Sequence, residues 1–150
     1  MTTQTEASIE ALNDLIENAK DGEQGFAQCA EHVKAANLKA ELQRHAEDCR
    51  RAALELDALV QRLGGKPAEH GTALGALHRG WINVKDAVTP DSDRSILNEA
   101  ERGEDTALGR YRKALKADLT PEARSLVERQ MQGAQANHDQ IKRLRDSTPA

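Results

Sequence analysis

The chain has 150 residues and a formal net charge of -4, with charged residues at 31% and aromatics at only 2%. That length fits one domain, and the abundance of Leu, Ala, Lys, Arg and Glu is helix-forming composition. Both signs of charge are interspersed without a basic block, and no apolar run approaches the ~20 residues of a membrane span.

Neither a nucleic-acid partner nor a membrane is therefore expected. The opening "MTTQTEASIEALNDL" has no basic start and no apolar run, so no secretory leader is expected either. A cytoplasmic location follows as the expectation, with Cys29 and Cys49 as reduced thiols. Residues 8–146 read as a single domain, with 1–7 and 147–150 as flexible ends.

The first predicted helix spans 8–34. Its apolar stripe is Ile9, Leu12, Ile16, Ala19, Glu23, Phe26, Ala30 and Val33, in steps of three and four. Glu23 is the intruder on that face. Asn37 is a plausible cap for the second helix, 37–63, whose stripe is Leu38, Leu42, His45, Cys49, Ala52, Leu56, Leu59 and Leu63. "GGKP" at 64–67 ends it.

A long connection follows. Within it Leu74, Leu77, Trp81, Val84 and Val88 mark a shorter amphipathic helix over 73–88, expected to pack across the bundle. The third long helix spans 93–117 with the stripe Leu97, Glu101, Glu104, Leu108, Tyr111 and Leu115. Both glutamates of "ERGED" lie on it and Asp105 does not. Gly103 and Gly109 sit beside it, where a missing side chain lets a neighbour approach. "DLTPEA" supplies Thr120 as cap and Pro121 at the first position of the fourth helix, 121–145. That helix carries Val127, Met131, Ala134, His138 and Ile141, with Gln135 next to the stripe.

Short turns near 36 and 119 make each helix pair antiparallel, and the long link joins two hairpins. This is an all-α four-helix bundle with one long crossover that contains a short helix, as in ferritin-like folds. Counting outward from the turns at about 1.5 Å per residue places Glu23 level with Cys49, flanked by His45 and Asp48. It places Glu104 opposite 134–135 and Glu101 opposite 137–138. The same count separates Cys29 from Cys49 by roughly 9 Å of height, too far for a disulfide.

A lone buried carboxylate is costly unless it is paired, hydrogen-bonded or metal-bound. Glu23, Glu101, Glu104, His45, His138 and Gln135 are therefore the candidate metal ligands, suited to iron, manganese or zinc. The alternative is an internal network that holds the histidines and glutamates by hydrogen bonds and ion pairs. The dinuclear iron pattern wants a Glu from each of two helices and Glu-x-x-His from each of the others. Here Glu23 and Glu104 fit the single positions, but helix four offers Gln135-x-x-His138 and helix two offers Glu41-x-x-x-His45. No Gly-rich phosphate loop, serine elbow or Cys-x-x-Cys supports nucleophilic or phosphoryl chemistry.

The segments "LNDLIENAKDGEQGF" (12–26), "GALHRGWINVKDAV" (75–88), "ERGEDTALGRY" (101–111) and "HDQIKRL" (138–144) together resemble a bacterial family of ferritin-like four-helix-bundle proteins of unknown function. The resemblance covers about 8–146. It implies the ferritin-like bundle and brings no activity or substrate with it.

Two functional readings remain. One is a non-catalytic bundle of stress-related or scaffold-like role that acts through self-association or a protein partner. The other is a ferritin-like metalloprotein holding iron or manganese at a degenerate dinuclear carboxylate site. The incomplete ligand pattern on two helices favours the first.

Overall fold

The computed structural model describes residues 2–69 and 92–149. Among these the secondary structure is four long helices and no strand: α1 (Gln4–His32), α2 (Ala36–Arg62), α3 (Asp93–Leu115) and α4 (Pro121–Asp146). The short helix expected over 73–88 lies outside the described residues.

Each helix start has a local cause, except one. Thr3 caps α1 by accepting from the Glu6 N–H at 3.0 Å. The helix thus begins at Gln4, inside the stretch expected to be a flexible end, and Gln4 is tied to Leu119 O at 3.1 Å. Ser92 caps α3 through the Ser95 N–H, and Thr120 caps α4 through the Ala123 N–H with Pro121 in the first turn.

The exception is α2. Its cap position is Ala35, which has no side chain to offer, and the expected cap Asn37 lies inside the helix, exposed. Asp93, at the far end of the long connection, closes the corner instead. Its carboxylate accepts from the Lys34 N–H at 2.7 Å and the Ala35 N–H at 3.0 Å. One side chain therefore ties the first hairpin to the start of α3. Asp93→Ala is expected to cost about 1–2 kcal/mol in urea denaturation, with Asn restoring part of it, since an amide oxygen can still accept. A loss no larger than that of an exposed surface substitution would contradict this role.

Gly64 ends α2 with φ 86°, a conformation glycine adopts without steric cost. The chain then runs along α1: Asn13 donates to Lys66 O at 3.1 Å and accepts from the Ala68 N–H at 2.9 Å.

The apolar stripes build two separate core layers. One holds Leu12, Leu15, Ile16, Leu56, Leu59, Tyr111 and Val127 near the α3–α4 turn. The other holds Phe26, Cys29, Leu38, Leu42, Leu97 and Ile141 near the α1–α2 turn. Between them the interior carries small and polar residues: Asn18, Gly22, Gly103, Glu104 and Gln130. That waist is where the bundle departs from a continuous hydrocarbon core.

Candidate functional site at the bundle waist

At the waist, α1 lies close to α2. A Cβ on Gly22 would sit 2.9 Å from Cys49 Sγ. Glycine at this position lets the helices approach, and it confirms the sequence-based register to within one residue. The two cysteines are unlinked. Both thiols are pushed up, chiefly by burial: Cys29 to about 12, and Cys49 well above the ordinary thiol range with the charges of Glu104, Asp48 and Glu23 adding. Neither thiol is an activated nucleophile.

A cleft of about 730 Å³ opens at this level, with walls from all four helices. Phe26, Ala19 and Ala52 form part of its apolar surface, and Gly133, Ala134 and Asn137 line it from α4. Glu104 reaches it from α3. This glutamate is 5% exposed, and its Oε2 is buried without a hydrogen-bond partner. Burial raises its carboxyl to about 8, with the charges of Asp105 and Asp48 adding, so that it is mainly protonated at neutral pH.

Tyr111 and Gln130, beside Glu104 on the lining, are satisfied. Tyr111 Oη donates to Gln130 Oε1 at 3.1 Å, and Gln130 Nε2 donates to Ala52 O at 3.2 Å. Burial holds the Tyr111 hydroxyl protonated. At the rim, Arg51 pairs with Asp48 at 2.9 Å and Arg129 with Glu55 at 2.7 Å.

A second cluster joins α3 to α4. His138 Nε2 lies 2.7 Å from Asp105 Oδ1 and 3.8 Å from Glu101 Oε1. One ligand atom from each of Glu101, Asp105 and His138 falls within 4.8 Å of the others. Arg145 Nη1 contacts the second oxygen of Glu101. The juxtaposition of Glu101 with His138 follows the level count from the turn. Asp105 was missed because it lies off the apolar stripe. Its spacing of one helical turn from Glu101 is the signal that places both carboxylates beside one imidazole.

The remaining candidates are dispersed. His45 is buried against Phe26, with ring centroids 5.2 Å apart. Burial lowers its pKa, so the neutral ring donates from Nε2 to Gln140 Oε1 at 2.7 Å. Gln140 in turn donates to Glu41 at 2.9 Å, which makes this an α2–α4 bridge separate from His138. Gln135 is exposed and donates at 3.0 Å to Asp139 Oδ1, which also lies 3.3 Å from His138 Nδ1; it makes no hydrogen bond to Glu101 or Asp105 among the described residues. Glu23 is half-buried, and its charge acts on Cys49 and Arg50. It is not part of the cleft wall, because α1 turns Asn18, Ala19 and Gly22 inward there. Gly109, expected at a close approach, has no neighbour within 4 Å of a Cβ.

A dinuclear iron centre does not fit these residues. The chain contains no Glu-x-x-His, and around Glu104 the α4 wall presents Gly133, Ala134 and Asn137 where carboxylate and imidazole are needed. Only Glu101, Asp105 and His138 form a group of ligand types at metal spacing among the described residues, and that group suits a single ion.

The structure is similar to the crystal structure of ferritin like, diiron-carboxylate proteins from Bacillus anthracis str. Ames. The identity is 19% and the TM-score 0.75, over 96% of this chain and 99% of that one. At that identity the likeness shows the fold, a ferritin-like four-helix bundle. No curated protein matches the chain. A family model described as domain of unknown function (DUF2383) matches residues 7–117, from the start of α1 to the end of α3. The match takes in Glu104 and the Glu101–Asp105 pair and stops before His138. With most of its length matched, this chain belongs to the DUF2383 family, carried on a ferritin-like bundle.

Proposed function

We propose that this ferritin-like bundle is non-catalytic and acts by association with another molecule at its open waist. The observation that carries the reading is the isolation of Glu104. It is the buried carboxylate in the cleft, and the residues around it cannot complete a dinuclear site. What the waist does offer is space, apolar walls and an unmet hydrogen-bonding group, which are the features of a binding pocket. Self-association or a protein partner in a stress-related or scaffold-like role falls within this reading.

A second reading has its own observation. Glu101, Asp105 and His138 are near enough to share one divalent ion, with manganese, iron or zinc matching the donor set. In the absence of an ion the same groups form a network, His138 with Asp105 and Glu101 with Arg145. Single-ion binding and association at the waist are compatible, since the two places are distinct.

Oxygen consumption separates both from ferritin-like oxidase chemistry. Untagged protein mixed with Fe(II) in aerated buffer is expected to consume oxygen at the rate of Fe(II) alone. A protein-dependent burst, lost in Glu104→Gln, would contradict the non-catalytic reading.

A further inference from the structure

The geometry points to the waist cleft as a binding site for a small organic cation, an amine with an apolar body, whose ammonium group meets the Glu104 carboxylate. This rests on the reading of the bundle as a binding module and names its class of ligand. A volume of about 730 Å³ lies within the usual range for small-molecule pockets, roughly 300–1,000 Å³. Size alone admits many ligands. Glu104 selects among them.

Its Oε2 has been taken out of water with no partner, a costly state that a donor from a ligand would relieve. The cations of the cleft wall are already engaged: Arg51 holds Asp48, and Arg129 holds Glu55. Neither is left to neutralise Glu104. The charges that bear on Glu104 itself, Asp105 and Asp48, are negative. Glu23 adds a further negative charge beside the neighbouring Cys49. With Arg51 and Arg129 already paired, an anion entering the cleft would find no free cation among the described residues of its wall. A purely apolar molecule would fill the space and leave the carboxyl unmet. A metal ion would find Glu104 alone, because the other carboxylates of the lining, Asp48 and Glu55, are held by Arg51 and Arg129 and do not converge with it at liganding distance. An ammonium group needs only the carboxylate, which Glu104 presents once its proton passes to solvent on binding, and amide oxygens, which Asn18 on α1 and Asn137 on α4 bring to the lining. Phe26, Ala19 and Ala52 would cover the apolar body.

The test uses phenethylamine, with 2-phenylethanol as its neutral counterpart and phenylacetate as its anionic one, titrated into the full chain by calorimetry. Phenethylamine is expected to bind about tenfold or more tightly than the alcohol, and phenylacetate not detectably. Glu104→Gln is expected to bring the amine down to the level of the alcohol while leaving the alcohol unchanged. Gly133→Leu, at a helix position whose added Cβ meets nothing within 4 Å, is expected to fold and to weaken both. Equal affinity for amine and alcohol, or an amine affinity untouched by Glu104→Gln, would overturn the proposal. So would binding of manganese or zinc chloride that requires Glu104 and excludes the amine. Failure of the broader reading appears elsewhere, as oxygen consumption with Fe(II), whatever the amine does.

Discussion

Glu104→Gln is expected to stabilise the bundle above pH 8 by on the order of 3 kcal/mol. The wild-type carboxyl has its folded pKa raised to about 8 from the ordinary glutamate value of 4.5, with burial as the main cause. A raised pKa means that the folded chain holds a proton that the unfolded chain gives up. Stability from that proton is complete below about pH 4.5 and is lost as pH rises through about 8. Above that, folding must bury an ionised carboxylate beside Asp48 and Asp105. Glutamine has nearly the same shape and no charge to bury. Wild type should therefore lose stability relative to the variant between pH 5 and pH 8, and the gap should then stay level. The difference between the two proteins matters more than either curve. His45, whose pKa is lowered by burial, destabilises the fold as pH falls through the ordinary histidine range, and it does so in both proteins. Urea denaturation at pH 5, 7 and 9 reads the effect. A constant gap across the three would show that Glu104 is ionised and satisfied throughout.

The opposite sign and a similar size are expected for Leu56→Ala. Leu56 is fully buried in the core layer near the α3–α4 turn, among Leu12, Ile16, Leu59 and Val127. Truncation there loses both transfer energy and packing, at a cost of about 2–5 kcal/mol. Ala52, one helical turn away on α2, lines the cleft. Ala52→Leu adds volume where there is room for it and is expected to change stability by less than about 1 kcal/mol. Overpacking in a closed core would cost more than that. The pair thus measures where the hydrocarbon core stops and the open waist begins, and equal penalties at both positions would contradict an open waist.

The bundle was legible in the sequence because its stripes and turns obey simple geometry. A turn near 119 and a fixed rise per residue placed Glu101 opposite His138, and they are neighbours. A turn near 36 placed Glu23 level with Cys49, and it is Gly22 that touches Cys49. The error of one residue decided the fate of Glu23. A stripe read at single-residue width treats a helix as if it had one partner. In the fold α1 buries a wider arc, with Leu15, Asn18 and Gly22 inside, and Glu23 moves to the flank. Asp93 could not be found as the closing group of α2, because the partners are some 58 residues apart and nothing local marks the bond. Gln130 was passed over for a related reason. It lies off the predicted stripe, and it is buried because Tyr111 and Ala52 satisfy both ends of its amide. Asp105 reads as a surface acid until His138 is seen beside it.

Anaerobic titration of metal-free protein with Fe(II) tests most directly whether the waist lacks a dinuclear centre. The expected result is at most a single ion per chain, retained in Glu104→Gln and lost in His138→Ala, because Glu101, Asp105 and His138 are the ligand group that the described residues bring together. Two ions per chain, both lost in Glu104→Gln, would contradict it.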